Sequence, residues 1–87
     1  MKILRDFEGR RIRLTSERLA HILEHPEMRD LIERIADVLE MPERVVESRV
    51  DPEARLYYRY FFETVVGGKY LCIVVKNRGA DSFVLTA

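Results

Sequence analysis

Apolar residues recur along this 87-residue chain with two different spacings, and the change of spacing divides it. In the first half they return every three or four positions. Leu19, Ile22 and Leu23 form one stripe in SERLAHILEH, and Met28, Leu31, Ile32, Ile35 and Leu39 form a second. That is the spacing of helices that bury one face. Thr15 or Ser16 is placed to cap the first helix, and Glu17 suits its first turn. Pro26 disfavours helical backbone at His25 but opens a helix comfortably, so the chain should break at His25-Pro26. The second helix then runs from about Pro26 to Glu40 and ends at Met41-Pro42.

Strand patterns flank the helices. KILRDF and RRIRLT, on either side of Glu8-Gly9, read as a short hairpin. After the helices the spacing falls to two. VVESRV, RLYYRYFFE, KYLCIVVKN and DSFVLTA read as four strands, separated by turns at DPEA, Gly67-Gly68 and Asn77-Arg78-Gly79. The expected class is α+β, with an N-terminal hairpin and two helices followed by a four-stranded antiparallel sheet, in one domain over residues 1–87.

Each strand offers two faces. Leu56, Tyr58, Tyr60 and Phe62 oppose Arg55, Tyr57, Arg59 and Phe61, and Leu71, Ile73 and Val75 oppose Tyr70, Cys72, Val74 and Lys76. If the more apolar face of each strand meets the helices, the other displays Arg49, Arg55, Tyr57, Arg59, Lys76 and Thr86. Cations there could hold phosphates, and tyrosines could stack on unpaired bases. The plain alternative is the wet face of a half-exposed sheet. RLYYRYFF could also pair edge to edge in a homodimer.

Composition narrows the class. Apolar residues make up 47% and charged residues 34%, with 15 basic and 15 acidic residues. Net charge therefore points to no polyanion. Twelve of the 15 cations are arginine, which suits bidentate contacts to carboxylate or phosphate. The single cysteine, Cys72, rules out an intrachain disulfide and reads as a small buried hydrophobe in a reducing compartment. The first residues meet charge too soon for a signal peptide, and no apolar run approaches a membrane span. A cytoplasmic protein with no membrane association is expected.

HILEHPE carries the most specific chemistry. Read as H-x-x-E-H it matches a zinc-peptidase motif, with two histidine ligands and a glutamate base. Such a site needs both histidines on one continuous helix, a third protein ligand and an open position. Pro26 weakens the helix at the second ligand, and Glu47, Glu53, Glu63 and Asp81 are scattered among turns and strands. No metal or other cofactor is expected. His21 and His25 fall opposite the apolar stripe, as surface residues or as parts of a site.

HILEHPE in an early helix, a strand with LYYR, then GGKYLCIVVK and a closing FVLTA together resemble the phage-associated branch of the barnase/EndoU/colicin/RelE-like nucleases. The likeness runs from about Ile12 to Ala87. It implies a barnase/RelE-like α+β fold and a metal-independent endoribonuclease that cleaves by attack of the 2′-hydroxyl. It also implies the toxin of a toxin–antitoxin or phage-related system, with RNA as substrate and an antitoxin protein as partner. By motif match, His21 and His25 correspond to the family's helical histidines, Lys76 to its strand lysine, Thr86 to its terminal hydroxyl and Arg59 to a strand arginine. Arg49, Arg55 and Tyr57 would bind RNA. The family commonly continues past the T-A segment at which this sequence stops. The competing reading is a catalytically inactive RNA- or protein-binding module on the same fold.

Overall fold

In the computed structural model, which describes residues 2–29, 32–61 and 68–87, the N-terminal hairpin forms where Gly9 allows it. Strands β1 (Lys2–Arg5) and β2 (Arg11–Leu14) pair antiparallel. Gly9 sits at φ +81°, a region that suits glycine. Helix α1 (Ser16–Leu23) starts at Thr15, whose hydroxyl accepts from the Arg18 N–H at 3.2 Å.

The continuous second helix expected from Pro26 to Glu40 is not there. A single 3₁₀ turn, Pro26–Arg29, follows α1, and α2 covers only Arg34–Glu40. Met28, Ile35, Val38 and Leu39 are all buried, so the apolar stripe is used although the helix is broken. Leu31 lies outside the described residues.

Strands β3 (Arg44–Glu47), β4 (Ala54–Phe61), β5 (Lys69–Arg78) and β6 (Asp81–Thr86) form the expected antiparallel meander. Gly67, in the expected β4–β5 turn, lies outside the described residues. The four-stranded antiparallel sheet needs correction: β2 lies parallel to β6 and makes one six-stranded mixed sheet, in the order β1-β2-β6-β5-β4-β3. Arg13, paired with Phe83, holds this seam. Its guanidinium donates twice to Asp81, at 2.8 and 2.8 Å, and lies 5.6 Å from the centre of the Phe83 ring. The edges are β1 and β3. β4 is interior, which removes it as the edge of a homodimer.

The faces also need correction. Ile12, Leu14, Tyr57, Leu71, Ile73, Val75 and Val84 form the buried core with α1 and α2. The β5 set is the expected one. In β4, however, the register Tyr57↔Ile73 carries Arg55, Tyr57, Arg59 and Phe61 onto the helix-covered side. Val45 packs on the core in β3, and Val84 does so in β6. The helix-free side therefore carries Val46, Leu56, Tyr58, Tyr60, Tyr70, Cys72, Val74 and Lys76. Phe62, expected beside Tyr58 and Tyr60, lies outside the described residues.

The cause is the hairpin turn, which folds over the core side of β4 and β5. Asp6 is 4% exposed, yet its carboxylate accepts from the Glu8 and Arg10 N–H groups at 3.0 and 2.9 Å and from the Tyr57 hydroxyl at 2.9 Å. Phe7 meets the Tyr57 ring edge-on at 6.3 Å. Glu8 accepts from Arg55 at 3.1 Å, and Arg10 donates to Asn77 at 3.3 Å. A tyrosine buries a large ring provided its hydroxyl finds a partner, and Asp6 is that partner. Among the described residues no helix is long and apolar enough to cross a membrane.

Burial, and then the bond to Asp6, pushes the Tyr57 phenol up to about 12. The phenol of the unfolded chain ionises near 10, so this contribution to stability is whole below that pH and is lost as pH rises toward 12. Tyr57→Phe should cost about 1–3 kcal/mol at neutral pH by removing one partner of a buried carboxylate. It should also lose the part of the alkaline destabilisation due to Tyr57. Urea unfolding of parent and variant from pH 7 to 12 checks both.

Candidate functional site

His25 stands at the end of α1, in the link to the 3₁₀ turn. Its N–H donates to the Ile22 carbonyl at 3.2 Å, and its own carbonyl accepts from Met28 at 2.9 Å. Ile22 and Met28 are both buried, so the link is anchored on each side. The imidazole is thereby brought to the sheet end where β5 begins and β6 finishes. There it lines a half-open cleft of about 260 Å³ with Lys69, Tyr70, Cys72, Met28, Leu71 and Ala87.

Three features make this cleft chemically capable. His25 brings an imidazole, a group that can both accept and donate a proton. Lys69 brings a cation to the same wall. Tyr70 is 61% exposed and offers an aromatic ring beside both. His21 lies one helical turn back, with its ring centre 6.4 Å from that of His25 and Nδ1 3.3 Å from a Glu24 carboxylate oxygen. Burial raises the Cys72 thiol above its usual range, which disfavours a thiolate nucleophile. Cys72 is half-buried on the helix-free side, opposite Tyr58, and is not in the core.

The other expected site residues are dispersed. Thr86 ends β6, paired with Val74 and next to Ala87 of the cleft. A register shift between Val74 and Val75 skips Leu85, which turns Thr86 to the side opposite Val84. Lys76 shares the helix-free side with Cys72 but lies four residues further along β5, about 13 Å away. Its ammonium is hydrogen-bonded to Asp51 and lies 3.6 Å from Glu53, in the β3–β4 turn. Arg59 is on the helix-covered side, donating to the Met41 carbonyl at 3.3 Å and lying 5.6 Å from the Phe61 ring centre. Arg55 is engaged with Glu8, Tyr57 is fully buried, and Arg49 is exposed in the turn after β3. Tyr57 thus has no face open to a base.

Lys69, Tyr70 and Tyr58 were not singled out by the sequence pattern. GGKY marks Lys69 and Tyr70 as the first residues after a turn, a placement that brings side chains to a sheet end. That signal was available.

The zinc geometry fails on the same backbone. α1 ends at Leu23, so His21 and His25 are not on one continuous helix. Asp81 is taken by Arg13 and Glu53 lies beside Lys76, while Glu63 is outside the described residues. Among the described residues no three His, Cys, Asp or Glu side chains gather as a metal-binding group. No known protein family, curated protein or solved structure matches this chain.

The Lys76 bond holds the Asp51 carboxyl below its usual range, helped by the Glu53 N–H, and the same bond raises the Lys76 ammonium. A lowered carboxyl contributes stability above its unfolded pKa and loses it as pH falls through the folded one. A raised ammonium contributes below its unfolded pKa and loses it as pH rises through the folded one. The pair therefore stabilises from about pH 4 to about pH 10. Asp51→Asn should lower the melting temperature at pH 7, and the difference should close as pH falls through the depressed Asp51 pKa. Calorimetry of both proteins across the acid range checks this.

Proposed function

We propose that this protein is a metal-independent endoribonuclease whose scissile phosphate sits in the cleft between His25 and Lys69. The observation that carries the reading is that a proton-transfer group, a cation and an exposed tyrosine share one cleft, with a second histidine one turn behind. The likeness of HILEHPE, LYYR, KYLCIVVK and FVLTA to the phage-associated nucleases supports it independently.

The step needs only side-chain chemistry. His25, which lines the cleft, takes the proton of the ribose 2′-hydroxyl as that oxygen attacks phosphorus. The bond from phosphorus to O5′ breaks, and His21, protonated, gives its proton to O5′. The products are a 2′,3′-cyclic phosphate and a 5′-hydroxyl. Glu24 engages Nδ1 of His21 and leaves Nε2 for the transfer. Lys69 offsets the charge that grows on the phosphorane, and Thr86 reaches a phosphate oxygen from the adjoining strand end. Lys76, further along β5, holds a neighbouring phosphate after exchanging its carboxylate partners for it.

The family likeness carries the wider reading of a toxin held by an antitoxin protein, for which growth arrest on induction in cells is the readout. The helix-free tyrosines would equally serve an RNA-binding module without catalysis, and the cleavage assay separates the two.

RNA cleavage in excess chelator should persist in the parent. It should fall at least ~100-fold in both His25→Ala and Lys69→Ala. Lys76→Ala should act mainly on KM, as expected of a remote phosphate contact. A folded parent that binds RNA without cleaving it, with binding intact in His25→Ala, would replace the nuclease reading with the binding module.

A further inference from the structure

The sheet ends on one side at β1, whose outer edge has no neighbouring strand among the described residues. Asp6 donates its N–H to the Arg10 carbonyl at 3.1 Å, so Asp6 and Arg10 are a bonded pair across the hairpin. Bonded and non-bonded pairs alternate along an antiparallel ladder. Lys2 and Leu4 therefore bond to β2, opposite Leu14 and Ile12, and the N–H and C=O groups of Ile3 and Arg5 point to the open edge. We infer that this edge pairs antiparallel with β1 of a second copy of the chain, with Leu4 on the two-fold axis, so that two six-stranded sheets join into one. The inference goes beyond the nuclease reading and does not depend on it.

Three side-chain pairs follow from that register, and each is complementary. Leu4 meets Leu4 of the second copy as a non-bonded pair, the kind in which side chains come closest. Leu4 also lines an apolar groove of about 210 Å³ with Leu14, Leu19, Leu23 and Ile32. Paired residues share a face, so the second Leu4 arrives on the groove's side of the sheet. On the helix-free side Ile3, 39% exposed, comes opposite Arg5 of the second copy, whose aliphatic stem can cover it. Lys2, which has no ion pair among the described residues, comes opposite Asp6, in the turn that also holds Glu8. The backbone agrees with the side chains. Ile3 of each copy exchanges N–H and C=O bonds with Arg5 of the other, and all the groups that point outward from these two residues are used.

Other pairings do less. A register centred on Ile3 sets Lys2 against Leu4 and loses the charge pair. The opposite edge, β3, follows Pro42 and offers poorer partners. Centred on Val45 it sets Glu43 against Glu47, two like charges, and centred on Val46 it sets Val45 against Glu47. Pairing through β1 also leaves the candidate site open. The two-fold axis stands perpendicular to the sheet, so both helix-free sides face the same way and the two His25 clefts lie at opposite ends.

Sedimentation velocity of the full chain should show the 10.3 kDa monomer giving way to dimer as concentration rises to roughly 1 mM, the range of a small interface. Lys2→Glu, at an exposed position, should weaken the dimer about fivefold or more by setting like charges against each other. Cross-linking reports the register. Leu4→Cys in a Cys72→Ser background should oxidise to a disulfide-linked dimer, because non-bonded partners stand about 4.5 Å apart. Ile3→Cys in the same background should cross-link far more slowly although Ile3 is the more exposed, since its two copies are offset along the strands by more than the ~7 Å a disulfide spans. A parent that stays monomeric throughout, a dimer that Lys2→Glu leaves unchanged, or faster cross-linking through Ile3 than through Leu4 would each overturn the inference.

Discussion

The hydrogen bond from the Tyr57 hydroxyl to the buried Asp6 carboxylate decides which side of the sheet is the inside. A carboxylate that is 4% exposed is costly unless its oxygens are occupied. Asp6 meets that condition with two N–H groups of its own turn and one phenol from 51 residues away. The turn and β4 therefore have to come together. Once Tyr57 faces in, the alternation of the strand turns Tyr58 and Tyr60 out, and the cross-strand register does the same for Tyr70, Cys72 and Lys76. The exposed tyrosines lie on the side created by that choice, and the His25 cleft opens at the sheet end, with Lys69 and Leu71 from the helix-covered side and Tyr70 and Cys72 from the other.

This also explains how far the sequence was legible. In β5, Leu71, Ile73 and Val75 announce a buried face unambiguously, and all three are buried. In β4 both faces carry aromatic rings, with arginines on one of them, so hydrophobicity favours the wrong side. The information that reverses it lies in Asp6, a residue that reads locally as an ordinary turn former. The β2–β6 seam is hidden for a similar reason. It rests on one parallel bridge and on an arginine 68 residues from its carboxylate, and no local pattern encodes such a pairing. Pro26 was readable as a break. Its effect reaches further than the break itself, because a 3₁₀ turn replaces the helix there and α2 starts only at Arg34.

Of the site, the histidines were legible and their cation was not. The break that weakens a zinc reading of HILEHPE is what frees His25 from α1 and lets it reach the start of β5. The lysine that shares its cleft is Lys69, at the strand's first position, not Lys76 near its far end. Lys76 belongs to an ion cluster with Asp51 and Glu53. A phosphate arriving there has to displace carboxylates.

That difference bears on how a protein of zero net charge could hold a polyanion. Several carboxylates are committed to nearby cations: Asp81 to Arg13, Glu8 to Arg55, Asp51 to Lys76 and Asp37 to Arg34. Such pairs cancel at long range, so the molecule exerts little steering on a distant nucleic acid. Attraction has to be local, supplied where a cation and an aromatic ring stand together. The end of the sheet around Lys69 and Tyr70 meets that description, and stacking, which is less sensitive to salt than phosphate pairing, then carries a larger share of the affinity.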